Sequence, residues 1–356
     1  KPLIPLTDPS KGENKEFHLS SEPSKKKKKK KKKQPKDQKK KSASNESDMN
    51  DEQENKKKEE KKRKRRELFE KAEDYYDGTG GCQVDKKEAA KNYQLAAEEG
   101  HRESMYRYSM MLFNGDGIDV DKEQAAHYLS KAANKGHIES MYRYALMLYN
   151  GEDIEMDKEK AAHYFQLAAD EGHIESMYHY AIMLHDGDSI TMDKKEASKY
   201  FEMAADEGHV ESKYRYAMML FEGDGIETDK SEALTYFRQA ANENHPSALL
   251  KLGLMLDKGD GIEMNKSEAG KCFKQAAKLG NTEAMYQYSM MLEKGIGTYA
   301  DKTESAQYCK LAADKGNAKA MYAFAVKLIN GEEIAVNKKM AAKYFKMAAD
   351  KGYIDA

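Results

Sequence analysis

The chain repeats itself at intervals of 36 residues, and an Asp or Asn opens each interval. The openings are Asp85, Asp121, Asp157, Asp193, Asp229, Asn265, Asp301 and Asn337. No step contains an insertion, so seven full units fill residues 85–336 and a partial eighth unit fills 337–356. A constant period of this length predicts a stack of equal modules, because one module cannot bury both of its faces alone.

Each unit predicts two helices. The opening residue is a helix N-cap, and Glu or Gln three positions later, such as Glu88 or Gln124, predicts a capping box in all units except the third and eighth, which have Lys160 and Met340 there. The first helix carries a narrow apolar stripe that includes Ala89, Tyr93 and Ala96, and Gly100 predicts its left-handed end. The second helix has apolar residues on two faces, which predicts that it lies between two neighbouring helices.

Histidine recurs at one position of the unit, directly after the glycine that ends the first helix. The residues are His101, His137, His173, His209 and His245, and later units hold Asn281 and Asn317 there. Ligands of one zinc ion lie about 2.1 Å from it, whereas helix layers are about 8–10 Å apart. We therefore expect these side chains to cap the second helices rather than to bind a metal.

No motif in the chain identifies a reaction centre. The glycine-rich turn 114–121 lacks the ligand order of an EF-hand and the Gly-Lys-Ser/Thr of a phosphate-binding loop. We expect no catalytic residue, cofactor, metal or small-molecule substrate. Three cysteines without a CxxC pair indicate a reducing compartment. No apolar run approaches the roughly 18–20 residues that a membrane span needs.

The residues of each unit resemble the Sel1-like repeat family, which is related to tetratricopeptide repeats. The resemblance rests on segments such as AAHYFQLAADEGH (161–173), SMYRYALML (140–148) and GDGI (115–118), and it covers about three-quarters of the chain. It implies an all-α, right-handed superhelical solenoid of helix-turn-helix repeats. It also implies a non-catalytic scaffold or adaptor that binds a protein partner on its concave side.

Charge divides the chain into a basic first part and an acidic remainder. Residues 1–66 hold 25 Lys/Arg and 12 Asp/Glu, which leaves 36 basic and 50 acidic residues for the rest. We expect 1–66 to be a disordered Lys-rich tail and 67–84 to be a degenerate half repeat or N-terminal cap. The expected units of the 85–356 array are 85–120, 121–156, 157–192, 193–228, 229–264, 265–300, 301–336 and the partial 337–356.

The lysine run Lys25–Lys33 leaves three interpretations open. It is a solvated low-complexity segment, a nuclear import signal, or a weak site for polyanions that acts through counterion release. The first interpretation is favoured, because charge runs of this kind are mostly solvated. We expect the chain in the cytoplasm, or in the nucleus if the run acts as an import signal.

A polar stripe on the first helices is the expected partner-binding face. The stripe comprises Lys87, Lys91, Gln94, Glu123, His127, Ser130, Glu159, His163, Gln166, Lys199 and Glu202. By resemblance to related repeats, this face lines the concave side. The acidic repeats favour a basic or polar partner, because complementary charge guides association.

Two other functions stay open from the sequence. The first is that the chain is the C-terminal regulatory or substrate-docking region of a larger catalytic protein, for example a protein kinase, an alternative that rests on its start without Met and on an eighth unit that stops after one helix. Sel1-like arrays also occur in adaptors of quality control in the endoplasmic reticulum. That function requires a signal peptide and a membrane segment, and neither is visible in the sequence.

Overall fold

The computed structural model describes residues 41–151, 153–331 and 333–353, and for 41–52 it describes the backbone alone. All regular structure in these residues is helical, which confirms the predicted all-α class. The helices are α1 (Lys41–Asp77), α2 (Lys86–Glu98), α3 (Arg102–Asn114), α4 (Lys122–Ala133), α5 (Ile138–Asn150), α6 (Lys158–Asp170), α7 (Ile174–Asp186), α8 (Lys194–Asp206), α9 (Val210–Glu222), α10 (Lys230–Asn242), α11 (Pro246–Lys258), α12 (Lys266–Lys278), α13 (Thr282–Lys294), α14 (Lys302–Asp314), α15 (Ala318–Asn330) and α16 (Lys338–Asp350). They form two compact units, each spanning several of the 36-residue sequence units. The first compact unit ends at Tyr164 and the second begins at Phe165.

The acidic N-caps are formed as the sequence predicts. The side chain of Asp85 accepts a hydrogen bond from the backbone N–H of Glu88 at 3.0 Å, and α2 begins at the next residue. The cap's own N–H, however, donates to the carbonyl of Tyr75 in the preceding helix at 2.8 Å. Asp121 uses Leu112 in the same way, at 2.9 Å. The N–H of the cap is thus bonded to the preceding helix instead of to the glutamate of a capping box. We call each pair of helices joined in this way, such as α1 with α2 and α3 with α4, a hairpin.

The histidine caps are also confirmed. The Nδ1 atom of His137 accepts a hydrogen bond from the backbone N–H of Ser140 at 3.2 Å, so the ring proton lies on Nε2. That Nε2 lies 3.0 Å from a carboxylate oxygen of Glu103 in the preceding hairpin. In the second compact unit, His245 makes both contacts, one with the N–H of Ala248 and one with Glu211. Each of these histidines therefore caps a helix and links two hairpins.

Small residues let the helices of the first unit approach closely. Ala89 and Ala90 of α2 are buried against α1, together with Ala72 and Tyr93. The next helix, α3, packs against both α2 and α4, as its two apolar faces predict. Met105 on α3 is buried in this core.

In the second unit phenylalanines fill the same layer. Phe201, Phe237 and Phe273 are almost completely buried. Beside them, Tyr180 and Tyr200 meet edge to face with their ring centroids 5.0 Å apart. Edge-to-face pairs of this kind are worth about 0.5–1.5 kcal/mol beyond the area that they bury.

Ion pairs between residues 30 positions apart join successive hairpins. In the second unit, Lys194 Nζ lies 2.6 Å from Asp224 Oδ1, and Lys230 Nζ lies 2.6 Å from Asp260 Oδ1. A lysine occupies the first position of the first helix in all eight of the 36-residue sequence units. At half exposure each such pair adds little stability, about 0–1 kcal/mol. These pairs therefore mark the contact between neighbouring hairpins without supplying much of its energy.

The structure differs from the predicted tail at residues 53–66, which are helical and continuous with 67–77 in α1. The helix is stabilised by pairs four residues apart, such as Glu54 with Lys58 at 2.8 Å and Arg66 with Glu70 at 2.8 Å. Lys, Glu and Arg are also strong helix formers, so no apolar stripe is needed. The prediction for 1–40, including the lysine run, lies outside the described residues.

Loss of one acidic cap should have a measurable cost. Asp229 accepts from the N–H groups of Ser231 and Glu232, each at 2.9 Å. We expect Asp229→Ala to lower the free energy of unfolding by about 1 kcal/mol. Asp229→Asn is the matched control, because Asn265 caps α12 in the same way. Urea unfolding measures both variants, and equal losses in the two would contradict a capping role.

Candidate protein-binding surfaces

The structure places the polar stripe in solvent along α2, α4, α6 and α8. Its exposed members are Lys87, Lys91, Glu123, His127, Glu159, His163 and Lys199, and its half-buried members are Gln94, Ser130, Gln166 and Glu202. Some of these side chains pair along their own helix, as Lys199 does with Glu196 at 2.6 Å. The exposure agrees with the sequence, and the binding role of the stripe stays a prediction.

Sequence reasoning missed a cleft in the second unit. A space of about 220 Å³ opens between α7 and α9, which are the second helices of adjacent sequence units. Its lining comprises Ile182, His185, Asp186, Phe201, Tyr214, Arg215, Met218, Met219, Glu222 and Asp224. Ile182 and Met218 are partly exposed, whereas Phe201 and Met219 are buried below them. These four side chains form the apolar floor of the cleft, and solvent reaches it at Ile182 and Met218.

One side of the cleft carries a fixed charged cluster. The Nε2 atom of His185 lies 2.9 Å from Oδ2 of Asp224, and its Nδ1 atom lies 3.0 Å from Oδ1 of Asp186. Lys194 donates to the other oxygen of Asp224 at 2.6 Å. The hydrogen bond from Lys194, helped by His185, lowers the pKa of Asp224. Asp224 is thus ionised at neutral pH, and its two oxygens are held in place.

The other side of the cleft is equally ordered. Arg215 Nε donates to Oε1 of Glu211 at 2.9 Å, and Oε2 of Glu211 lies 2.8 Å from Nε2 of His245. Burial would raise the pKa of Glu211, but the bonds from His245 and Arg215 outweigh burial and lower it. Glu222 lies near Lys251, at 3.8 Å. Polar groups fixed before a ligand arrives reduce the entropy that binding costs.

The residue types that ligate metals and the two buried cysteines have structural roles in the part of the chain that is described. In the described residues, no set of three or more His, Cys, Asp or Glu side chains has the arrangement of a metal site. Cys272 and Cys309 are buried, and burial raises the pKa of the Cys272 thiol to about 11 and that of Cys309 to about 12. These thiols are therefore protonated and unreactive at neutral pH. Within the described chain, no helix has both the length and the apolar character to cross a bilayer.

The hairpins, their caps and the surfaces between them define a helical repeat protein. Sel1 repeats match the chain at residues 67–101, 102–137, 138–173, 174–209, 210–245, 246–281, 282–317 and 318–353. The chain belongs to the Sel1 repeat family, a general protein-interaction fold that is typically non-catalytic.

The family divides the chain differently from the units read off the sequence. Its repeats begin with the helix that we placed second, so that α3 and α4 together form the repeat 102–137. Residues 67–101, expected to start with a degenerate half repeat, are a complete repeat in this frame. The polar stripe then lies on the second helices of the first four family repeats, and α7 and α9, which flank the cleft, are first helices.

Solved structures share the fold. A protective antigen of uropathogenic Escherichia coli strains that displays an SLR fold is 25% identical, with a TM-score of 0.72 over 85% of this chain. The chain covers 64% of that protein. A Sel1 repeat protein from Oxalobacter formigenes is 24% identical, with a TM-score of 0.66 over 82% of this chain and 84% of its own. No curated protein matches the chain at a significant level.

Proposed function

We propose that the chain is a non-catalytic scaffold that binds a protein partner through the cleft between α7 and α9. The observation that carries the proposal is the combination of a solvent-accessible apolar floor with a rim of ordered charges. Binding energy at protein interfaces is concentrated in pockets that take one apolar or aromatic side chain and are surrounded by polar contacts. The cleft supplies both parts within one compact unit.

The charges of the rim favour a particular partner. Asp186, Glu222 and Asp224 contribute three carboxylates, and Arg215 contributes one permanent cation. The remainder of the chain after residue 66 is also acidic, with 50 acidic and 36 basic residues. A partner segment with one large apolar side chain flanked by Lys or Arg complements this site in both shape and charge.

The polar stripe is the competing surface, and the same unit contains part of it. Lys199 and Glu202 lie on α8, outside the lining of the cleft. Substitutions at these two positions and in the cleft therefore separate the two surfaces within one folded unit. We expect the cleft to contribute most of the binding energy, because exposed polar pairs contribute little.

Peptide selection tests the proposal. We expect a displayed peptide library to yield binders that share an apolar residue flanked by Lys or Arg. Met218→Glu should weaken them at least tenfold, because it places a carboxylate on the apolar floor. Met290→Glu is the matched control, since Met290 occupies the same repeat position on α13 and lies outside the cleft. Fluorescence anisotropy measures each affinity.

Three outcomes decide between the surfaces. Loss of binding in Met218→Glu alone supports the cleft. Loss in the double variant Lys199→Ala, Glu202→Ala, with normal binding by Met218→Glu, would move the site to the polar stripe. Failure to select any peptide above background would contradict the scaffold function in this form.

A further inference from the structure

The first helix is far longer than the others. It has 37 residues, whereas each of the other helices has 12 or 13. Of the part whose side chains are described, 53–77, the C-terminal portion packs on the repeats, where Ala72 is buried and Phe69 and Tyr76 contact Tyr93. Lys64 meets Glu99, the residue that follows α2, at 2.8 Å. Residues 53–64 are all exposed, so this part of α1 has no packed face.

The exposed part of α1 is strongly basic. Residues 53–66 contain nine Lys/Arg and three Glu, a net charge of +6. Six consecutive basic residues, 61–66, point in all directions around the helix, because successive side chains are about 100° apart. Among the residues whose side chains the structure describes, Lys56, Lys57, Lys61 and Lys62 form no ion pair, although Lys61 is near enough to Glu99 to help lower the pKa of that carboxyl. The helix therefore presents cations on most of its surface, and only the side at Lys64 and Arg65 faces the repeats.

The sequence of this segment excludes several kinds of partner. Residues 53–66 contain no apolar side chain, so they offer neither a coiled-coil seam nor a face that inserts into a lipid interface. Residues 41–66 contain no aromatic side chain on which an unpaired base could stack. What remains is a ligand that is recognised by dense negative charge alone and that accepts a rigid helix.

We infer that residues 53–66 of α1 bind the phosphate backbone of duplex DNA, with the helix lying in the major groove. That groove is about 12 Å wide, and a helix with its side chains is about 10–12 Å across. Cations on opposite sides of the exposed helix reach the phosphates of both walls. The major groove of duplex RNA is too narrow for such a helix. With no base-reading pattern in the segment, the binding is independent of DNA sequence.

Salt dependence tests the inference on the full chain. The probe is a fluorescein-labelled 20-base-pair DNA duplex, and anisotropy is measured between 50 and 200 mM NaCl. We expect Lys56, Lys57, Lys61 and Lys62, all changed to Gln, to weaken binding at least tenfold at the lower salt. The slope of log K against log salt should become shallower by about 2–4, because each phosphate contact contributes about 0.9.

Matched controls isolate the segment. Gln preserves helix propensity, and circular dichroism at 222 nm verifies that the helix is retained. A second variant loses four exposed lysines from the repeats, at Lys195, Lys271, Lys310 and Lys343, and should bind within twofold of the parent. A third replaces Lys25–Lys33 by Gln, and we expect it to retain the salt-dependent binding that α1 provides.

Several results would overturn the inference. Unchanged affinity in the α1 variant would do so, as would loss of binding confined to the Lys25–Lys33 variant. Equal affinity for duplex DNA, for duplex RNA of the same length and for phosphatidylserine vesicles would show general polyanion adsorption instead of a fit to the major groove. None of these outcomes bears on the cleft, since peptide binding there is measured separately.

Discussion

Phe237→Ala is expected to lower the free energy of unfolding by about 3–5 kcal/mol. The side chain is 0 % exposed, and its ring centroid lies 6.1 Å from that of Tyr214 and 6.3 Å from that of Phe221. Its helix, α10, packs against α9 and α11, so the surrounding helices cannot close the cavity. Urea unfolding followed by circular dichroism measures the loss.

The chain contains its own control for this substitution. Phe345 occupies the same repeat position on α16 but is only half-buried. Folding removes less apolar area from water at Phe345, so we expect Phe345→Ala to lower the free energy of unfolding by less than half as much. Equal losses at the two positions would show that burial does not set the cost and would contradict the packing described for α10.

The helices could be predicted from sequence because local interactions fix their ends. Asp85 caps α2 through an N–H only three residues away, and Gly100 has a φ of 92°, which a residue without Cβ adopts readily. Asn244 replaces that glycine in one repeat and has a φ of 63°. Such signals lie within a few residues of the boundary that they set, and the 36-residue period repeats them in every unit.

The surfaces between hairpins could not be predicted in the same way. The cleft depends on how α7 and α9 lie side by side, and the pair Lys194–Asp224 joins residues 30 positions apart. A usable signal was present, since a lysine follows the N-cap in all eight units. The period shows that this lysine recurs but does not show which acid it meets.

The extent of α1 was missed for a different reason. Apolar periodicity predicts no helix over residues 53–66, because they contain no apolar residue. Their helix depends on propensity and on charge pairs four residues apart, such as Glu54 with Lys58. Spacing of opposite charges is therefore the signal that predicts a free-standing helix of this kind.

Acid should destabilise the second unit through His179. The imidazole is stacked on Phe165, with ring centroids 5.3 Å apart, and lies next to Tyr178. Burial, with smaller contributions from His209 and His173, lowers the pKa of His179 from 6.5 to about 4. In the unfolded chain the same group titrates at its ordinary pKa of about 6.5.

The sign follows from these two pKa values. Between pH 6.5 and 4 the unfolded chain binds a proton that the folded chain does not, so unfolding becomes more favourable as pH falls. The contribution is fully present above pH 6.5 and is lost as pH falls to about 4. At about 1.4 kcal/mol per pKa unit, the loss is about 3 kcal/mol. Burial also lowers the pKa of His209, which adds to the loss in the same direction.

His179→Gln isolates this contribution, because Gln287 occupies the same repeat position on α13. Carboxylates titrate in both proteins, so the difference between their pH profiles reports His179 alone. Urea unfolding at pH 7, 6, 5 and 4 should show the parent losing about 3 kcal/mol more than the variant. Superimposable profiles would mean that the folded repeat accommodates the imidazolium, and the enclosure of His179 by Phe165 would then carry no energetic cost. The largest divergence is expected below pH 5, since the unfolded parent has by then gained a proton that the folded ring still largely excludes.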